Sequence, residues 1–172
     1  GIELCDKTLG IIGLGNIGKT VANLAQAFKM NLISYDPFIS EDIAKKYKVK
    51  LVTFDELITK SDIISIHAPF TKETQNLINY ETIKKMKKDV ILVNCARGGI
   101  INEEDLDRAL EENIISRAAL DVFSEEPVKN FTLIKNPCVI ATPHLGASTQ
   151  EAGIKVSTQI ASQISDFLLN GI

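Results

Sequence analysis

Three side chains in this sequence have the chemistry of an acid–base and anion-binding site. His144 follows the short apolar run Cys138-Val139-Ile140-Ala141 after Thr142-Pro143, and an imidazole is the natural acceptor of an alcohol proton near neutral pH. Arg97 lies in Cys95-Ala96-Arg97-Gly98-Gly99, directly after the apolar run Val90-Ile91-Leu92-Val93-Asn94. Its guanidinium offers a planar fork to a carboxylate or carbonyl. Glu126 closes Ala119-Leu120-Asp121-Val122-Phe123-Ser124-Glu125-Glu126-Pro127, and a carboxylate paired with His144 would fix its tautomer and favour its protonated form. Taken singly, each has a plainer reading: Arg97 as a structural ion-pair residue, Glu126 as part of an acidic loop before a proline. His67, in His67-Ala68-Pro69 after Ile63-Ile64-Ser65-Ile66, is the other histidine. It reads as a structural histidine lining a crevice, and distance along the chain cannot show the Glu126–His144 pairing.

A second constellation binds rather than reacts. Gly13-Leu14-Gly15-Asn16-Ile17-Gly18 sits between an apolar strand and an apolar-periodic helix, the context that a dinucleotide fingerprint requires. Gly13 permits the tight turn, Gly15 lets the backbone approach a pyrophosphate, and Gly18 allows close packing of helix on strand. The exposed N–H groups of the helix start then hold the anion. The next strand, Asn31-Leu32-Ile33-Ser34-Tyr35, ends in Asp36, close to the separation of roughly 20 residues expected for the acid that holds an adenosine ribose. A carboxylate there would repel a 2′-phosphate, so NAD is favoured over NADP. A glycine turn followed by a surface aspartate is the plain alternative.

The elements that must position these groups alternate. Strands are expected at Thr8–Leu14, Asn31–Tyr35, Asp62–Ile66, Val90–Val93, Ala118–Val122 and Val139–Ala141, and helices at Ile17–Lys29, Glu41–Tyr47, Phe54–Thr59 and Tyr80–Met86. Asn102 is expected to cap a helix with Leu106, Ala109 and Leu110 inward, and Ser148 with Glu151 reads as a capping box for a helix ending near Asn170-Gly171. Alternating strand and helix means an α/β fold: a doubly wound parallel sheet of the Rossmann type, as a single dinucleotide-binding domain over 1–172. The 172 residues are 45% hydrophobic and 24% charged with net charge −3, enough for a core and without the basic excess that nucleic acid or an anionic membrane would require. Three dispersed cysteines, Cys5, Cys95 and Cys138, suit neither a disulfide framework nor a metal site. No run reaches the roughly 18 apolar residues of a membrane span, and a cytoplasmic setting is expected. The sequence opens on Gly1 rather than methionine, as an excised piece would.

In order along nearly the whole chain, Gly13–Gly18, Tyr35-Asp36-Pro37, His67-Ala68-Pro69, Asn94–Gly99, Ala119–Pro127 and Thr142–Thr149 resemble the D-isomer-specific 2-hydroxyacid dehydrogenases. The resemblance implies that Arg97 binds the substrate carboxylate and carbonyl, that His144 donates and accepts the proton, and that Glu126 supports His144. It implies nicotinamide contacts at Cys95, Arg97, Asp121 and His144-Leu145-Gly146-Ala147, a further cofactor contact at Ala96, pyrophosphate at Asn16-Ile17, ribose at Asp36, and Ala68 on the adenine side. Within the family, Asn94–Ile100 and His144–Thr149 are most similar to the branch acting on 3-phosphoglycerate, which feeds serine synthesis. A homo-oligomeric full-length protein with a small 2-hydroxyacid or 2-oxoacid substrate is expected. The segments that usually flank this region as a substrate-binding domain are expected to be absent. Two rivals stand beside this reading. One is a reductase of hydroxypyruvate, glyoxylate or D-lactate; the other is a nucleotide-sensing binding module like the C-terminal-binding-protein corepressors, which the ordinary dehydrogenase motifs argue against.

Overall fold

The structure is a computed structural model and describes residues 1–171. Among the described residues, seven strands form one sheet: β1 (Thr8–Ile12), β2 (Asn31–Tyr35), β3 (Lys50–Leu51), β4 (Ile63–Ile66), β5 (Ile91–Asn94), β6 (Arg117–Leu120) and β7 (Val139–Ala141). Every pairing is parallel, in the order β3-β2-β1-β4-β5-β6-β7. The helices between them are α1 (Asn16–Ala27), α2 (Glu41–Lys46), α3 (Phe54–Lys60), α4 (Tyr80–Ile83), α5 (Glu103–Glu111), α6 (Thr132–Lys135) and α7 (Gln150–Asn170).

The apolar runs are explained by burial on both faces. Neighbouring residues on a strand point to opposite sides, and β1 divides accordingly: Leu9 and Ile11 pack with Ala22 and Ala25 of α1, whereas Ile12 joins Leu57 and Ile58 of α3 and Ile64 of β4. A strand covered on both faces reads as a continuous apolar stretch rather than an alternating one. Strand order reverses direction at β1 and β4, so the chain leaves their carboxyl ends toward opposite sides and opens a crevice there.

Three helices stop without the glycine that usually marks a C-terminus. Lys29, Lys48 and Asn113 take left-handed φ values of 56°, 53° and 54°. The next residue then returns its N–H to the last helical turn: Met30 to Ala25, Val49 to Ala44, and Ile114 to Ala109. This places the end of α1 at Ala27, two residues short of the expected Lys29. The expected helix over Tyr80–Met86 is α-helical only to Ile83, because Lys85 and Met86 donate to carbonyls three residues back, tightening the turn. β1 ends at Ile12 because Gly13 turns the chain, and β3 was not foreseen.

Asn102 caps α5 as expected, its side chain accepting from Asp105 N at 3.0 Å, with Leu106, Ala109 and Leu110 buried. At α7 the cap is Thr149, not Ser148. Ser148 N is bonded to Leu145 O in the preceding turn, so the extended backbone a cap requires first occurs at Thr149, whose hydroxyl accepts from Ala152 N. α7 closes on Gly171 at φ 66°, and none of its residues is buried. Among the described residues no helix is long and apolar enough to cross a membrane.

Candidate active site

The glycine loop leaves β1 and enters α1 at the crevice. Gly13 has φ 91°, and a Cβ there would lie 2.8 Å from Ala68 N, so turn and space both demand glycine. Its N–H donates to Tyr35 O, which ties the loop to the end of β2. A Cβ on Gly18 would meet Gly13 O at 2.2 Å, so α1 sits as close to the loop as backbone permits. At Gly15 the space is open. Gly15 is also the N-cap of α1 with no side-chain cap, and no acid occupies the first turn. An uncapped helix start beside open space fits the pyrophosphate of a dinucleotide.

Asp36 accepts from Leu14 N at 2.7 Å through Oδ2 and from Phe38 N at 2.9 Å through Oδ1. A carboxylate has about four lone-pair sites, which leaves capacity for ribose hydroxyls. Across the crevice lie His67-Ala68 and Cys95-Ala96-Arg97, which with Ile17 line a space of about 640 Å³. His67 Nε2 bonds Ser65 Oγ at 2.9 Å, and burial pushes its basicity down. The 95–97 loop is pinned by buried Asn94, whose side chain accepts from Ala96 N and donates to Arg97 O. Arg97 is exposed, with Nη1 donating to Ala96 O at 2.7 Å. Burial and then the charge of Asp121 push the Cys95 thiol up.

The second group forms past β6 and β7. Glu126 Oε1 accepts from Phe123 N at 3.0 Å, and Oε2 pairs with His144 Nδ1 at 2.7 Å. The His144 hydrogen bond and then the Phe123 N–H hold the Glu126 carboxyl below its ordinary range, against burial. An apolar recess of about 520 Å³, lined in part by Phe123, Pro127, Phe131 and Pro143, adjoins the pair. His144 itself has φ 55°.

Asp121, expected at the nicotinamide, spends its carboxylate on the histidine loop, accepting from Thr142 Oγ1, Leu145 N and Gly146 N. Leu145 and Ala147 are exposed. The structure thus brings Glu126 to His144 and Arg97 to His67 and Ala68. Among the described residues no hydrogen bond joins Arg97 to the Glu126–His144 pair. The two groups meet through the strand ends: Asp121 N donates to Asn94 O, and a Cβ on Gly98 would overlap Phe123 O. Sequence reasoning passed over Thr142, whose partner Asp121 lies across strands, and the side chain of Asn94, which folds the loop after its own strand. Their only local signal is a polar residue at the carboxyl end of an apolar run.

This geometry agrees with what the chain is similar to. The model of the D-isomer specific 2-hydroxyacid dehydrogenase, NAD binding domain, matches residues 1–146. A D-3-phosphoglycerate dehydrogenase of Bacillus subtilis is 52% identical over 167 residues, covering 97% of this chain and 32% of that protein. A glyoxylate reductase structure from Paecilomyes thermophila superposes with TM-score 0.93 at 34% identity, over 99% of this chain and 52% of that one. A D-isomer specific 2-hydroxyacid dehydrogenase of Lactobacillus delbrueckii ssp. bulgaricus, solved in an NAD complexed form, gives 0.87 at 30% identity, over 99% and 55%. The chain spans about a third of the length of the curated relatives it matches. The glycine loop and the residues across from it lie within the stretch that matches an NAD binding domain, and the chain belongs to the D-isomer specific 2-hydroxyacid dehydrogenase family.

Proposed function

We propose that the protein oxidises and reduces the C2 position of a D-2-hydroxyacid and its 2-oxoacid, with 3-phosphoglycerate as the substrate and serine synthesis as the setting. The observation that carries this is the 2.7 Å contact of Glu126 with His144 Nδ1, formed past β6 and β7 at the same carboxyl edge of the sheet where the Arg97 loop leaves β5. Glu126 holds the Nδ1 proton, which leaves Nε2 as the acceptor of the substrate hydroxyl proton. Arg97 takes the substrate carboxylate on its planar fork and polarises the C2 oxygen. Bound NAD supplies the acceptor for the hydride leaving C2. In reduction the proton returns from His144 to the oxygen, and Glu126 stabilises the imidazolium meanwhile.

The name carried by the 52% identical Bacillus relative supports phosphoglycerate as substrate. We read residues 1–172 as one dinucleotide-binding unit of a cytoplasmic homo-oligomer that does not bind nucleic acid. The assigned cofactor contacts are Gly13, Gly15, Asn16, Ile17, Gly18, Asp36, Ala68, Cys95, Ala96, Arg97, Asp121 and His144 to Ala147.

The test is a kinetic comparison of the full-length protein on 3-phosphoglycerate, D-lactate, glycolate and glycerate with NAD, this chain alone being expected to bind NAD and turn over poorly or not at all. 3-Phosphoglycerate is expected to show the highest kcat/KM. His144→Ala is expected to lose turnover by a factor on the order of a hundred or more while NAD affinity remains, and Arg97→Ala to raise the acid KM as well. Full turnover in His144→Ala would remove the assignment.

A further inference from the structure

We propose that Asp121 and Thr142 form a positioning pair that holds His144 in its left-handed turn and so keeps the imidazole against Glu126. The kinetic meaning of this rests on reading His144 as the proton-transferring residue; the structural claim does not.

His144 is not glycine, yet its φ of 55° lies where a Cβ crowds the backbone. A side chain stays there only when its surroundings over-determine it. The bonds that do so flank His144 and converge on one carboxylate. Asp121 stands at the end of β6 and is 5% exposed. Its Oδ1 accepts from Thr142 Oγ1 on one side of the histidine and from Leu145 N at 2.8 Å on the other. Its Oδ2 accepts from Gly146 N, also at 2.8 Å. Thr142 is itself fixed, because its N–H continues the β6–β7 ladder to Leu120 O, and its carbonyl accepts from His144 N at 3.0 Å. The turn 142–146 is therefore closed onto β6 by one buried anion with three donors. Burial alone would raise the Asp121 carboxyl, but the Thr142 hydroxyl and the Leu145 and Gly146 amides outweigh it and hold the group below its ordinary range.

The consequence is geometric. Glu126 is fixed separately, through Phe123 N, so the His144 contact exists only while the turn points Nδ1 at a carboxylate placed from another loop. Letting the turn relax moves the imidazole and not its partner. Misplacement by about 1 Å can cost on the order of a hundredfold in rate.

Thr142→Val tests this without touching any assigned cofactor contact, since it keeps the side-chain shape and removes the hydroxyl donor. In this chain, Thr142→Val is expected to speed amide exchange at Leu145 and Gly146 by about tenfold and to broaden the His144 Nδ1–H resonance, with amides of α1 unchanged as a control for folding. Thr142→Ser, which restores the hydroxyl, is expected to restore both. Asp121→Asn replaces an acceptor oxygen with a donor facing an N–H and is expected to have the larger effect. In the active enzyme, Thr142→Val is expected to lower kcat about fivefold and Thr142→Ser to restore it. Unchanged exchange at Leu145 and Gly146 in Thr142→Val, or a raised KM for NAD with kcat intact, would overturn the proposal. If the unsubstituted enzyme turns over no 2-hydroxyacid, the proposed function falls, and the exchange measurements still decide the anchor.

Discussion

The two oxygens of Glu126 serve different partners, and this gives the site a pH signature independent of catalysis. Oε2 meets His144 Nδ1 and Oε1 takes the Phe123 amide, so the folded carboxyl titrates below its unfolded value. A group depressed in this way contributes stability that is present above its unfolded value and lost as pH falls through the folded one. The melting temperature of Glu126→Gln is therefore expected to lie below that of the unsubstituted protein at neutral pH, with the gap closing below about pH 4. More than a third of the Glu126 side chain is exposed, so screening keeps the gap small. Calorimetry across the acid range checks it, and a gap that does not change with pH would contradict the assignment. The residue types were legible in the sequence because chemistry restricts them: an imidazole, a guanidinium and a carboxylate after apolar runs. Their company was not. Eighteen residues separate Glu126 from His144, and only the parallel arrangement of β6 beside β7 brings the loops that follow them together. Asp121 shows the limit from the other side: its place in a motif suggested a ligand contact, while its three donors come from a turn more than twenty residues away.

At the scale of elements, α1 packs against the loop before it as closely as backbone permits, and NAD affinity is expected to depend on that approach. Gly18→Ala would put a methyl 2.2 Å from Gly13 O, and neither backbone segment can give way without opening the turn. The variant is expected to lose NAD affinity by a factor on the order of ten or more and to lower the melting temperature, because overpacking of this kind costs about 1–3 kcal/mol. Isothermal titration with a parallel melt checks both; unaltered NAD affinity would mean that the close approach is incidental. Strands buried on both faces and helices with a regular apolar side announce themselves. β3 does not, since two residues, Lys50 and Leu51, form an edge strand without any pattern. Nor do the helix stops at Lys29 and Lys48, where tertiary packing of Met30 and Val49 selects a left-handed lysine that local propensity would not choose. Thr149 displaces Ser148 as a cap for a similar reason: the neighbouring turn decides which hydroxyl faces the free N–H groups.

For the whole molecule, one sheet with two buried layers accounts for residues 8–141, and the doubly wound order was legible because strand and helix alternate in the chain. The long helix after them was legible as a helix, but not the fact that it buries none of its residues. With no buried side chain, α7 is held mainly by its own hydrogen bonds, the Thr149 cap and the Gly171 close. Its β-branched residues and Gly153 make it a weak helix former, and its 21 residues exceed only modestly the length of about 12–15 at which isolated helices become marginal. Tyr35, Tyr47 and Tyr80 all lie in the sheet body and the chain has no tryptophan. In the tyrosine band, near-ultraviolet dichroism therefore reports the body alone, while the 222 nm signal also reports α7. On heating, the 222 nm signal is expected to decline gradually before the near-ultraviolet signal breaks; coincident curves would mean that α7 is held by the body after all. Helix–coil melting of this kind has no sharp midpoint, so a single free energy of unfolding describes the sheet and its covering helices, whereas α7 behaves as a polymer segment whose mean helicity shifts continuously with temperature.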